Sequence, residues 1–139
     1  MGKIADIRAG LKTRLDTIHG LQAEAYARDT VDPPMAMVGG PDNADFDKTF
    51  GRGHDDYEFG IMVFSSRVDD ESGQEQLDSY LDPFGPLSIK QAVEGDSTLG
   101  GVVEDLRVER TQEYGAHEVG GVMYFGAVVV VKIMAPGTA

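Results

Sequence analysis

The longest apolar block of the chain runs from Gly120 to Met134, and within it Met123, Phe125, Ala127, Val129, Val131 and Ile133 occupy every second position. Side chains alternate across a strand but recur every 3.6 residues on a helix, so this spacing sends all six to one face of a β-strand. The block falls short of the ~20 apolar residues that a membrane-spanning helix needs. It is also interrupted by Lys132 and rich in β-branched side chains, which favour strands. A strand with one fully apolar face must be covered, and the rest of the chain has to supply the cover.

The cover is written as helices. Ile4, Ile7, Leu11, Leu15 and Ile18 recur at spacings of three and four with charged residues between them, which predicts an amphipathic helix closed by His19-Gly20. A second helix is expected from the acidic start Asp69-Asp70-Glu71 to about Asp82. Ser72 and Glu75 have capping-box spacing, and Leu77, Tyr80 and Leu81 face inward. The elbow Asp82-Pro83-Phe84-Gly85-Pro86 then leads into a short third helix, opened by Pro86 and stopped by Gly95, that presents Ile89, Ala92 and Val93.

Strands are expected at Gln22–Ala27, at Met35–Val38 after the Pro33-Pro34 pair, and at Tyr57–Phe64. The last of these is apolar on both faces in its second half and should be central. Gly39–Asp56 reads as a long hairpin loop, dominated by Gly, Pro, Asn and Asp, with Ala44–Phe50 alternating enough for a brief strand. The final hairpin is read with Val102–Gln112 as one arm, Tyr114–Gly121 as the turn and Val122–Met134 as the other arm. The fold class is α+β: a mainly antiparallel, mixed sheet of about five strands, with the N-terminal helix and the middle helix pair packed on one face and the other face free.

With 139 residues, 41% of them hydrophobic, the chain should form one domain spanning 1–139 around one core. Cysteine is absent, which removes disulfides and thiolate metal sites. No apolar leader stands at Met1–Arg8, and a cytosolic chain is expected. Twelve Lys plus Arg against 24 Asp plus Glu leave a net charge of −12, which opposes any role that grips nucleic acid through its phosphates.

Chemical candidates each meet a plainer reading. Gly95-Asp96-Ser97-Thr98-Leu99 resembles the nucleophile block of GDSL hydrolases, but it follows a helix late in the chain with no Asp-x-x-His farther on, and reads as a turn. Asp42, Asn43, Asp45 and Asp47 suggest a calcium loop. Neither register works, because starting at Asp45 puts Phe50 where the turn glycine belongs, and starting at Asn43 puts Lys48 there. His19, His54 and His117 lack the helical spacing that preorganises zinc. Gly51-Arg52-Gly53 lacks the Lys and Ser/Thr of a P-loop. No catalytic, metal or cofactor-binding residue is expected, and no cofactor.

Several segments carry a resemblance in order along most of the chain: Lys3-Ile4-Ala5-Asp6-Ile7-Arg8-Ala9-Gly10-Leu11, Gly51-Arg52-Gly53-His54-Asp55-Asp56-Tyr57-Glu58-Phe59, Gln76–Leu81 through Gly85-Pro86-Leu87-Ser88-Ile89-Lys90-Gln91-Ala92-Val93-Glu94, and Thr98-Leu99-Gly100-Gly101. Together they resemble the tail terminator or head-to-tail joining proteins of long-tailed bacteriophages. The resemblance implies a structural virion protein and not an enzyme. Its subunits assemble as a homo-oligomeric ring, usually a hexamer, that caps the tail tube, stops its polymerisation and joins tail to head. The implied partners are copies of itself, the tail tube protein and the head completion or connector proteins. DNA passes through without specific binding, and no membrane is involved. The implied place is the virion tail or neck, assembled in the host cytoplasm. A neck connector or stopper subunit, or a monomeric protein-binding module, is the alternative.

On this reading the loop with Phe46, Phe50, Arg52 and His54 docks on the tube by ordering on contact. The acids Asp42, Asp45, Asp47, Asp69, Asp70 and Glu71 line the channel and keep threaded DNA from adhering.

Overall fold

The computed structural model describes residues 3–26, 30–45, 54–68 and 71–136. Among them the chain order is α1 (Lys3–Leu15), β1 (Gln22–Glu24), β2 (Met35–Asp45), β3 (His54–Arg67), α2 (Glu71–Leu81), α3 (Ile89–Glu94), β4 (Asp105–Val119) and β5 (Val122–Pro136). The strands form one sheet in the order β1-β2-β3-β5-β4, with β1 parallel to β2 and the other pairs antiparallel. The class is α+β, and β3 is the central strand.

The helices share one face of the sheet. From α1, Ile7, Leu11 and Leu15 are fully buried against Phe59, Ile61 and Val63 of β3 and Val129, Val131 and Ile133 of β5, together with Leu77, Tyr80, Ile89 and Val93 from the other two helices. The alternating face of β5 is therefore the floor of this core. Its start departs from the sequence pattern, since Met123 is 39% exposed and the buried row continues instead to Ala135.

Helix α1 stops at Leu15, short of the expected His19-Gly20. Thr17 and Ile18 donate their amides three residues back, to Arg14 and Leu15 at 3.2 and 3.0 Å, which tightens the last turn, yet Ile18 still reaches the core at 2% exposure. Helix α2 already includes Ser72, so that residue sits in the first turn and is not the cap. For α3 the cap is Ser88, and Pro86 lies outside the helix.

Where it is described, at 39–45 and 54–56, the expected long loop at Gly39–Asp56 is strand. β2 runs on through Asp45 and β3 begins at His54, with Asn43, Ala44 and Asp45 paired to Glu58, Tyr57 and Asp56. The Gly-Pro sequence is absorbed as an irregularity between Gly39 and Asn43. Pro41 lacks an amide, but β1 pairs with β2 only at Met35–Met37, so beyond that point β2 is an edge and no ladder bond is lost on its open side.

The last hairpin is likewise longer than expected. β4 and β5 pair from Asp105↔Met134 to Val119↔Val122, and the turn is only Gly120-Gly121, both at positive φ (60° and 82°). Two glycines at positive φ match the right-handed twist of the flanking strands. Residues 114–119, expected in the turn, are accommodated by a bulge between Gln112 and Gly115, while Val102–Glu104 belong to the preceding turn region.

The second face is free only in part, and toward the Met35 end of β2 it is covered. The parallel link between β1 and β2 brings Val31 to that side, where it joins Met35, Met37, Phe64 and Tyr124 in a second cluster, each at 9% exposure or less. A parallel pair needs a crossover connection, and here the crossover itself supplies the cover.

Candidate functional site

Among the described residues, two surface places gather exposed or paired side chains that another molecule could meet. The first is the elbow between α2 and α3. Ser88 is 1% exposed, and its Oγ donates to the carbonyl of Asp82 at 2.6 Å while accepting the amide of Gln91 at 3.1 Å. One hydroxyl thus closes the end of α2 and caps the start of α3. The Gln91 side chain returns across the turn and accepts the Gly85 amide at 2.8 Å. Gly85 has φ 123°, a conformation that favours glycine. Phe84, at the tip of this clamped turn, is 80% exposed.

The second place is the outer strand β4 and the side of β5 that faces away from the helices. Glu58, Arg107, Glu109, Arg110 and Lys132 form a cross-strand ionic group. Glu109 pairs with Arg110, with Arg107 at 3.9 Å and with Lys132 at 3.8 Å, and Arg110 reaches Glu58 at 3.4 Å. Exposed pairs like these contribute little stability singly, and their main effect is to hold long side chains over the sheet. The strand pattern explains the arrangement: Arg107 lies opposite Lys132, and Glu58 opposite Lys132 on its other side.

The open edge of β4 is partly closed from the helix side. Glu94, at the end of α3, accepts the amide of Val108 at 2.9 Å and the Lys90 ammonium at 2.6 Å. Burial pushes the Glu94 carboxyl up, but those two hydrogen bonds and the Lys90 charge outweigh it and hold the group below its ordinary value. Farther along the strand Tyr114 donates its hydroxyl to Asp78 of α2 at 2.6 Å, and the bond raises the tyrosine pKa.

The block that resembles a hydrolase nucleophile is a turn. Asp96 accepts the Thr98 hydroxyl and amide at 3.0 and 3.2 Å and the Gly100 amide at 2.9 Å, which hold its carboxyl below the ordinary range. Leu99 plugs into α1, where a Cβ added to Gly10 would lie 2.9 Å from the Leu99 Cβ.

Of the sequence-derived site residues, Phe46, Asp47, Phe50, Arg52, Asp69 and Asp70 lie outside the described residues. Asp42 and Asp45 fall on the backbone of β2, His54 opens β3 and Glu71 opens α2, with their side chains outside the description. The backbone places Asp45 and Glu71 apart. Asp45 pairs with Asp56 near the start of β3, whereas Glu71 follows its far end, and the 14 residues of that strand span about 45 Å. The ionic group on β4 and β5 and the exposed Phe84 were not singled out from sequence. The available signal for Phe84 was a large apolar residue between two prolines, where a turn gives it nowhere to bury.

Neither a scan against protein-family profiles nor a search of curated proteins returns a match.

Proposed function

We propose that this chain is a structural subunit of a phage tail: a tail terminator that assembles as a homo-oligomeric ring on the tail tube, stops its growth and offers its opposite face to the head's connector proteins. The supporting observation is where the resembling segments fall in a single α+β fold. The Gly51–Phe59 segment leads into the central strand, Gln76–Leu81 completes α2, Gly85–Glu94 makes the clamped elbow and α3, and Thr98–Gly101 forms the turn that seats Leu99 beneath α1. The resemblance thus follows the joints that set the domain's shape.

A ring ends a polymer when one face copies the tube subunit's contact and the other does not, so that the next subunit finds no complement. A subunit with helices on one side of its sheet and a loop-covered cluster on the other has two such unlike faces. The connection 46–53, with Phe46, Phe50 and Arg52, is the tube-docking segment in this proposal. The charge of −12 keeps a threaded polyanion from adhering.

Electron microscopy of particles assembled without this chain tests the reading. Over-long tubes without heads are the expected result. Headless tubes of normal length would instead assign the chain to the neck as a connector or stopper, and intact particles would refute a tail role.

A further inference from the structure

The last strand of a sheet turns a row of amides and carbonyls outward, and such an edge is a template for the strand of a second copy. β4 is an edge of this kind, and it is long, 15 residues from Asp105 to Val119. The same strand of another copy, laid antiparallel against it, would extend the sheet unless the outward groups were already occupied.

Two of them are occupied, by carboxylates of the chain itself. Alternate residues of an antiparallel strand turn their amides to the same side, so those of Leu106 and Val108 point the same way. Val108 donates to Glu94 Oε2 at 2.9 Å, and Leu106 donates to Asp105 Oδ1 at 2.9 Å. Glu94 belongs to α3 and is itself held in place, because Lys90 donates to its Oε1 at 2.6 Å. The Asp105 bond is the more telling. It joins a residue to its immediate neighbour and ties no two elements together, so its effect is to fill the amide.

The rest of the edge is interrupted too. Bulges fall between Val108 and Arg110 and between Gln112 and Gly115, and His117 donates through Nε2 to the Glu113 carbonyl at 2.5 Å. On the far side of the sheet, the open stretch of β2 carries Pro41, which has no amide to offer. A strand arriving at β4 would have to displace two carboxylates, and an ionised acceptor holds an amide more strongly than a carbonyl does.

We propose that Glu94 and Asp105 are stoppers on the β4 edge: they occupy the amides that the strand of a second copy would need, and so keep copies of this chain from joining sheet to sheet. The inference does not rest on the ring reading, because stray edge pairing competes with an ordered assembly and with a monomer alike.

Sedimentation velocity over a range of concentrations tests it, with the fold of each variant checked by circular dichroism. The double variant Glu94→Ala with Asp105→Ala should associate at least about tenfold more tightly than wild type, since the uncovered amides regain acceptors in a pair of copies. Glu94→Gln with Asp105→Asn should behave as wild type, because its amide oxygens still accept Val108 and Leu106 although both charges are gone. Hydrogen exchange locates the contact: in the alanine variant the Leu106 and Val108 amides should exchange faster than in wild type when dilute, and slow again when concentrated. If the alanine pair does not fold, Asp105→Ala alone carries the same test, because it breaks no contact between elements. An alanine variant that associates no more than wild type would overturn the stoppers. So would tighter association that leaves those two amides unprotected. A Gln/Asn variant that associates as the alanine variant does would assign the effect to charge repulsion and overturn them equally. Tube length in particles lacking the chain reads the terminator role separately.

Discussion

Replacing Ser88 by Ala removes one hydroxyl that is bonded at both ends. Loss of a Ser N-cap costs about 1 kcal/mol. The Asp82 carbonyl then loses its donor at the end of α2, and a partly buried acceptor left without a partner adds about 1 kcal/mol. The sum is about 2 kcal/mol, which for a chain of 139 residues corresponds to a fall in Tm of about 7 °C and a urea midpoint lower by about 1 M. The assay is urea unfolding followed by far-ultraviolet circular dichroism at one fixed protein concentration, because self-association would otherwise shift the midpoint. Ser88→Gly should recover part of the loss, since glycine caps nearly as well, although it cannot restore the bond to Asp82. A Ser88→Ala variant within about 0.5 kcal/mol of wild type would refute the double bonding of that hydroxyl.

Two further outcomes are expected. Gly126→Ala should destabilise by about 1–3 kcal/mol in the same assay, because the added Cβ would lie 2.7 Å from the Val63 carbonyl oxygen and 2.9 Å from the Phe64 ring, with no room made by a flexible neighbour; a neutral result would contradict that packing. Glu94 has a folded pKa below its unfolded value, so its contribution is present above the ordinary carboxylate range and lost as pH falls through it. The urea midpoint should therefore drop between about pH 5 and pH 3, and Glu94→Gln should flatten that drop. An identical acid limb in the variant would show that the Val108 and Lys90 bonds do not act through the charge.

The periodic segments were legible before any coordinates. The alternation in β5 and the three-and-four spacing of Ile7, Leu11 and Leu15 each depend on faces set within a few residues. Local chemistry misled where a distant partner decided the outcome. Gly39, Gly40 and Pro41 carry turn propensity, yet β2 resumes its ladder with β3 at Asn43 after an irregularity there, and nothing is needed on the other side. Tyr114–Val119 read as turn because Gly115 broke the pattern, but a bulge restores the register with β5.

What the amino-acid order determined by itself was therefore the inventory: α+β class, one apolar floor, amphipathic cover, an acidic surface and an elbow rich in proline. What only the folded chain decided was adjacency. The β1-β2-β3-β5-β4 order, the parallel first pair with Val31 carried to the second face, and the gathering of Arg107, Arg110 and Lys132 with Glu58 and Glu109 across β3, β4 and β5 all join residues far apart in sequence. The physical reason is that periodicity records which face of an element is buried, while the choice of neighbour is made by loop lengths and by the burial of the whole assembly of elements at once.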